Sequence, residues 1–433
     1  MKKSFADIVR ETENDLRQRL GAKVPEWAEV LPSLRLPARL NVEQCSSSAA
    51  AFYKAGVAAG IVQGAAKRIA DLTGGLGVDA WAFSSVATEV LYNEMDPVLC
   101  EAVQHNFGLL GVSGAVFRCA EVRPGTVREI LGDFQPSLLY LDPARRSATG
   151  RKVFLLEDCS PDLAALQDEL LSICPHVLVK ISPMADITLL RRRLPSVSEI
   201  HVVSVDGECK ELLLHLDASQ SRPFQLIVTE LRDGQTHSLR FTDEDKQASC
   251  PGLECNLLGG SETIPTRGLA DASPNELEMS SSGDMTSAPQ LGLEASSPES
   301  LTVPSLREGC WIYEPGAALM KSECHAAACR RAGLRKLAPS THLYLGHEPV
   351  QELAPFGRFR RILEVLPLDK RTIADVARRY SQAEVTARNI PMTSDELRRR
   401  LSLRPGGNIH IYGVTATLPD SPSRRLLLVT RNS

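Results

Sequence analysis

The stretch Asp71-Leu72-Thr73-Gly74-Gly75-Leu76-Gly77-Val78-Asp79 most limits what this 433-residue chain can fold into. Arg68-Ile69-Ala70 before it reads as a buried strand, and Ala80-Trp81-Ala82-Phe83 after it reads as a helix start. A strand that turns through glycines into a helix forms a βα corner. Glycine lacks a Cβ, so the backbone can turn sharply there and a ligand can come close. The helix N-terminus adds N–H groups with no partner inside the helix. Glycine-rich turns also occur without ligands, so the corner by itself gives local structure and a candidate binding loop.

Downstream of the corner the pattern alternates. Strands are expected near 68–72, 88–93, 115–119, 137–141 and 177–180, with helices after Asp96-Pro97 and over 161–172. Proline suits the first turn of a helix. Two further strands, 199–205 and 210–216, are joined by Asp206-Gly207-Glu208-Cys209 and read as a closing hairpin. Strand–helix alternation predicts an α/β fold with a doubly wound, mostly parallel sheet. Ahead of the sheet, residues 5–20 have helical apolar spacing and 49–62 form an alanine-rich helix. The serines at 46–48 suit an N-cap, and Gln44 and Ser46 are alternatively pocket residues.

The bulk numbers exclude several classes. The chain is long enough for two to four domains, and its 43% hydrophobic share is that of a globular protein. It contains no apolar run of about 18 residues, so no membrane span is expected. Met1-Lys2-Lys3-Ser4-Phe5-Ala6-Asp7 lacks an apolar signal core, so a cytoplasmic location is expected. Eleven cysteines include no CxxC pair and no partner set for zinc; free thiols and no metal are expected.

Charge is unevenly placed. Residues 243–308 hold 12 acids and 3 bases, whereas 309–433 hold 20 bases and 11 acids. The first segment is rich in Ser, Gly and Pro and reads as a flexible acidic linker. The second reads as basic α+β structure, including Arg360-Arg361, Arg378-Arg379 and Arg398-Arg399-Arg400. Such runs are either solvated faces or phosphate contacts.

Two ligand classes fit the glycine turn. Gly75-x-Gly77-x-x-Ala80 matches a dinucleotide fingerprint, and Asp71-x-Thr73-x-Gly75-x-Gly77 matches the first motif of S-adenosylmethionine-dependent methyltransferases, with Thr where Gly is usual. Both need an acid after strand 2, here Glu94. The closing hairpin and the tract Asp142-Pro143-Ala144-Arg145-Arg146 favour the second class. The acids Asp71, Glu94, Glu121 and Asp142 recur at strand ends, where such sheets bind ligands.

These residues resemble class I methyltransferases acting on nucleic acid, and the Thr-x-Gly-Leu-Gly-x-Asp form resembles the small-subunit rRNA guanine-N2 enzyme. More of the chain resembles a bacterial methyltransferase family without an established substrate. That resemblance is carried by Glu43–Ser47, Asp71–Asp79, Asp142–Arg146, Lys180-Ile181-Ser182-Pro183, Tyr313-Glu314-Pro315, Arg388-Asn389-Ile390-Pro391, Asp395–Arg398 and Gly406-Gly407. It implies a Rossmann-like methyltransferase domain at 67–220 behind an N-terminal helical region, 1–66. A connection (221–242) and the linker (243–308) would lead to a ferredoxin-like α+β module (309–371) and a THUMP-like basic domain (372–433).

The resemblance implies S-adenosylmethionine as cofactor, held by Asp71, Thr73, Gly74, Gly75, Gly77, Asp79, Glu94, Met95 and Glu121, with Gln44 and Ser46 at the pocket. Asp142 and Pro143 are the catalytic candidates. The tract is similar to the Asp/Asn-Pro-Pro-aromatic motif of enzymes that methylate exocyclic amines, whose carboxylate and backbone carbonyl accept the two N–H bonds of the amine. Arg145 and Arg146 replace the aromatic, so base stacking would fall to arginine planes or Tyr140. Arg145, Arg146, Lys180, Ser182, Arg398 and Arg399 are the substrate-binding candidates, with Lys180 alternatively paired to Asp142. Cys45 reads as a structural thiol. The expected partner is structured tRNA or rRNA. A protein or small-molecule methyltransferase, or a catalytically silent RNA-binding protein, is the alternative.

Overall fold

The computed structural model describes residues 5–62, 64, 67–145, 159–219, 222–248, 306–418 and 421–432. The chain divides into two compact units, Met1–Asp243 with Ala317–Ser322, and Glu244–Gly316 with Glu323–Ser433.

In the first unit, α1 (Phe5–Lys23), α2 (Arg39–Gln44) and α3 (Ser48–Ile61) precede the sheet. Ser47 caps α3 by accepting from the Ala50 N–H. Then β1 (Arg68–Asp71), β2 (Glu89–Asn93), β3 (Ala115–Arg118) and β4 (Leu138–Leu141) alternate with α4 (Val78–Ser84), α5 (Pro97–Leu109) and α6 (Val127–Leu131). Asp96 caps α5 ahead of Pro97, as the sequence predicts. Two short strands, β5 (Ala144–Arg145) and β6 (Cys159–Ser160), pair outside the main sheet. The unit continues through α7 (Leu163–Ile173), β7 (His176–Ile181), α8 (Ile187–Arg193), β8 (Val197–Val205), β9 (Glu208–Asp217), β10 (Gln225–Arg232) and β11 (Gln235–Phe241).

These strands form one nine-stranded sheet in the order β11-β10-β8-β9-β7-β4-β1-β2-β3. β1 pairs in parallel with β2 and β4, and β3 and β7 extend the parallel set. β9 enters antiparallel between β7 and β8. The hairpin is therefore present, but it does not close the sheet. Residues 221–242 were expected as a connection. Instead β10 pairs in parallel with β8, and β11 forms the edge. The turn between them is Asp233-Gly234, with φ of 52° and 72°. That dipeptide is a hairpin signal in the sequence. Parallel pairing of β10 with β8 has no local signature, because it depends on β9 having been inserted first.

The N-terminal helices share the core of this unit rather than forming a separate layer. Leu20, Val24 and Trp27 pack in the same cluster as Ala51, Ala55 and Ala58 of α3, Phe83 of α4, and Ile69 and Tyr140 of the sheet. Trp27 is wholly buried and meets Trp81 edge-on at 5.4 Å.

After α9 (Asp243–Ala248), which occupies the first residues of the expected linker, the chain up to 305 lies outside the described residues. Residues 317–331 form two helices, α10 (Ala317–Lys321) and α11 (His325–Arg331), separated where Glu323 has φ of 62°. α10 packs on β8 and β9 of the first unit, to which it belongs.

The second unit has a seven-stranded sheet built from β12 (Trp311–Pro315), β13 (Arg335–Lys336), β14 (Tyr344–Gly346), β15 (Gly357–Pro367), β16 (Glu384–Arg388), β17 (Ile409–Leu418) and β18 (Ser421–Asn432). Their order is β13-β14-β12-β15-β18-β17-β16. Successive residues of β17 and β18 serve opposite faces. Tyr412 and Leu428 join a core with Ile312 and Ile362. Ile411, Leu427 and Val429 join Val376 of α12 (Lys370–Arg379) and Leu397 of α13 (Ser394–Arg400). Thr393 caps α13 in a capping box with Glu396, while the Ser394 hydroxyl accepts from the Ala387 N–H.

Trp27→Ala removes a fully buried side chain from the core that α1 and α3 share with the sheet. We expect a loss of about 3–5 kcal/mol, measured by urea unfolding of the full chain.

Candidate active site

The sequence candidates gather at the carboxyl ends of β1, β2, β4 and β7. β1 ends at Asp71, which is 1% exposed and accepts from the Thr73 N–H at 3.1 Å. The glycine loop follows. Gly75 and Gly77 take φ of 54° and 82°, a region in which other residues are strained. Gly74 is required for a different reason: a Cβ there would lie 2.1 Å from the Tyr92 ring. Tyr92 packs beneath the loop and donates to the Gly75 carbonyl at 2.6 Å.

Glu94, just past β2, braces the same loop. Its Oε2 accepts from Gly75 N–H and its Oε1 from Asp96 N–H, both at 3.0 Å. Asn93 is buried and bonds the Leu72 and Ala120 carbonyls, joining the ends of β1 and β3. Beside Glu94, Met95 is 59% and Val98 63% exposed, an apolar surface at the mouth of the loop. Glu121 pairs with Arg123. Gln44 is exposed at the end of α2. Lys23 fastens the chain on both sides of it by donating to the carbonyls of Val42, Glu43 and Cys45.

Thr73, the departure from the usual Gly, has a structural use. Its Oγ1 accepts from the Asp142 N–H at 2.6 Å. The glycine loop and the Asp142 loop are thus hydrogen-bonded to each other. Asp142 Oδ2 lies 2.6 Å from Lys180 Nζ, so of the two readings of Lys180 the structure has the pair with Asp142. Attraction to Asp142, Glu211 and Asp79 outweighs burial and raises the Lys180 ammonium above its ordinary value. Ser182 turns the chain after β7, accepting from Met184 N–H, and Met184 is 72% exposed. Tyr140 is not available as a stacking platform. It is fully buried and donates to Asp79 Oδ2 at 2.8 Å. The Cys45 thiol donates to the Val42 carbonyl and is raised by burial, as suits a structural thiol. Arg145 lies on β5 and Arg146 lies outside the described residues. Arg398 and Arg399 lie on α13 in the second unit, Arg398 paired with Asp395 at 2.6 Å.

Two residues that the sequence reading passed over hold this region together. Lys54, in the alanine-rich α3, is wholly buried. Its Nζ lies 3.0 Å from both carboxylate oxygens of Glu211 on β9 and 3.1 Å from Asp79 Oδ1. It also donates to Ser46 Oγ at 2.9 Å, and Ser46 donates to Asp79 Oδ2 at 3.0 Å. Ser46 is therefore 8% exposed and built into this cluster. A lysine within an apolar helical run was the available signal, since a fully buried lysine needs partners.

Burial would raise the Asp79 carboxyl, but Lys54, Lys180 and the Tyr140 hydroxyl hold it below its ordinary value. Asp71 is pushed well up by burial, then by Asp79, Asp142 and Glu94. Glu211 is raised mainly by burial, despite Lys54. Four carboxyl groups, Asp71, Asp79, Glu211 and Asp142, thus share two lysines. Asp79 Oδ1 faces Lys54 Nζ. A site with surplus buried acid fits a cationic ligand.

Comparison with known proteins agrees with the topology. Residues 311–353 match the family model of a ferredoxin-like domain and residues 357–432 that of a THUMP-like domain. The second match starts ahead of the 372 boundary and takes in β15. No curated protein matches the chain. A solved structure from Porphyromonas gingivalis W83, provisionally named a methyltransferase, is 28% identical, with a TM-score of 0.72, over 97% of this chain and 88% of that one. A protein from Pyrococcus horikoshii, provisionally named an RNA methyltransferase, is 17% identical over 45% of this chain and 98% of its own, with a TM-score of 0.31. One from Streptococcus mutans, provisionally named a methyltransferase and solved with S-adenosylhomocysteine, is 7% identical over 38% and 95%, with a TM-score of 0.28. The last two are too distant to bear on residues. The first unit has the Rossmann-like class I methyltransferase fold, extended by β10 and β11. The whole chain resembles the Porphyromonas gingivalis protein, with ferredoxin-like and THUMP-like matches in its C-terminal part.

Two measurements test the electrostatics. Lys54→Met strands two buried carboxyls and should cost about 3–5 kcal/mol; adding Glu211→Gln should recover part of it in urea unfolding. The raised folded-state pKa of Asp71 means that the native state holds its proton beyond the pH at which the unfolded chain releases it. Stability is then lost as pH rises from the unfolded carboxyl pKa towards the folded one. Unfolding from pH 4 to 8 should show wild type losing stability relative to Asp71→Asn as pH rises.

Proposed function

We propose that the protein is an S-adenosylmethionine-dependent methyltransferase that modifies a base of structured RNA, most simply an exocyclic amine. The observation that carries this reading is the hydrogen bond from Asp142 N–H to Thr73 Oγ1, which puts a cofactor-type loop beside an Asp-Pro acceptor tract. The cofactor fits the residues present. Gly74, Gly75 and Gly77 leave the loop open to close approach, and the buried acids favour a ligand with a sulfonium and an ammonium group. When bound, S-adenosylmethionine would supply a methyl group already activated for transfer.

The residues of the chain then have the following roles. Asp79, held below its ordinary value, compensates the positive charge of the ligand, and the Asp71 carboxyl lies close to it. Glu94, fixed by two backbone N–H groups, keeps lone pairs for ribose hydroxyls, with the apolar surface of Met95 beside it. Lys180 holds Asp142 Oδ2 and leaves Oδ1 to accept an amine N–H. The Pro143 carbonyl accepts the other. Together they localise a lone pair that the ring would otherwise delocalise, and Asp142 receives the proton released. Met184, at the end of β7, offers an exposed apolar contact for the base in place of an aromatic. The basic C-terminal unit, with its THUMP-like match, supplies RNA affinity.

Transfer of labelled methyl from S-adenosylmethionine to fractionated RNA, protein and metabolites tests the acceptor; label confined to protein or metabolites would overturn the RNA reading. Asp142→Ala should retain cofactor binding by calorimetry and lose transfer by at least about a hundredfold, the lower range for a positioned acid–base group. Unchanged transfer would remove Asp142 from the mechanism.

A further inference from the structure

Two guanidinium groups of the second unit meet one carboxylate, and a third arginine stands across the strand pair from it. Glu314 of β12 stands directly across from Arg358 of β15. Arg360, two residues along the same face, is 3% exposed. Its Nη1 donates to the Tyr412 hydroxyl at 2.6 Å and to Glu314 Oε2 at 3.2 Å, and the Tyr412 hydroxyl donates to the same oxygen at 2.8 Å. Arg388, at the end of β16, donates to Glu314 Oε1 at 2.9 Å while 49% exposed. Both Glu314 oxygens are thereby occupied.

Three arginines and one glutamate leave a surplus of two positive charges. His410 stacks on Tyr412 at 4.2 Å, and its Nε2 is hydrogen-bonded to Thr386. Burial first, then Arg360, lowers His410 to about 4; Glu314 is the one acid among the charges acting most on it, the others being Arg358 and Arg388. Arg358 is exposed and makes no ion pair among the described residues. Arg398 and Arg379 of this unit have acids close by, Asp395 for the first and Glu364 and Asp375 for the second. At the Glu314 cluster the surplus positive charge is held in place by a buried frame.

We propose that Arg358 and Arg388, carried on the Glu314–Arg360–Tyr412 frame, form a phosphate-binding site for the RNA backbone. The proposal rests on the RNA reading above. A guanidinium presents paired N–H groups that match two phosphate oxygens, which a point-charge cation does not. The site places RNA contact on the sheet of the second unit, away from the Arg398–Arg400 run that the sequence singles out.

The test is fluorescence anisotropy of full-length protein with labelled structured RNA across a salt series. Arg358→Ala should lower the slope of log affinity against log salt by about 1, and Arg358→Ala/Arg388→Ala by about 2. Affinity at low salt should fall several-fold at each step, and Arg398→Ala/Arg399→Ala should change it less. Arg388→Ala also frees a Glu314 oxygen, so thermal melts accompany the series. Arg358→Ala, which breaks no described ion pair, keeps the test valid if the double variant is unstable. Wild-type slopes in Arg358→Ala and in a folded double variant would overturn the site and leave the RNA reading standing. Absence of wild-type RNA binding at low salt would overturn the RNA reading itself, and the site with it.

Discussion

The Lys54 ammonium is the interaction on which the first unit depends. It draws together α3, the start of α4 through Asp79, the serine turn before α3, and β9 through Glu211. A lone ammonium in that position would be intolerable, and two carboxylates without it would repel each other. The same charges set the floor of the candidate site. Asp79 opens the helix that the glycine loop feeds, and Lys180 carries the pattern outward to Asp142. Charge alternates from the core to the solvent-facing end of β4, so the core packing and the site chemistry rest on the same residues.

The two units use arginine and lysine differently. In the first unit, two lysines are outnumbered by buried acids, which suits a cation. In the second, one glutamate is outnumbered by arginines, which suits an anion. The opposed imbalances suit the cationic methyl donor and the RNA acceptor proposed above. A net charge of −4 for the whole sequence hides both.

Much of the fold was legible in the sequence, because local patterns carry it. Strand–helix alternation, the glycine turn, Asp96-Pro97 and the hairpin at Asp206-Gly207 each act over a few residues. The extension by β10 and β11 was not legible, since strand neighbours are chosen across the sheet. The split between α10 and α11 turned on Glu323, which adopts a left-handed conformation without being glycine. In the site, Asp71, the glycines, Glu94 and Asp142 were found by motif, and the structure brings them together. Lys54 and Glu211 were missed because neither belongs to a motif; their meaning comes from meeting each other. Tyr140 was one of the two candidates for base stacking, but strand periodicity alone does not say which face a central strand residue serves. Thr73 read as an imperfection in a motif, whereas it is the residue that ties one loop to the next.

The Lys54–Glu211 pair spans 157 residues of chain, and the neighbouring Tyr53–Thr229 hydrogen bond spans 176. On a ribosome, α3 emerges long before either partner. Its apolar face can dock on the first strands as they form, but its charge has no counter-ion until β9 has been made and inserted. The N-terminal helices therefore cannot settle into their final core until synthesis has passed β9. They have to wait in a looser arrangement with Lys54 turned towards water. The residue that anchors the finished unit is thus also a clock on its assembly.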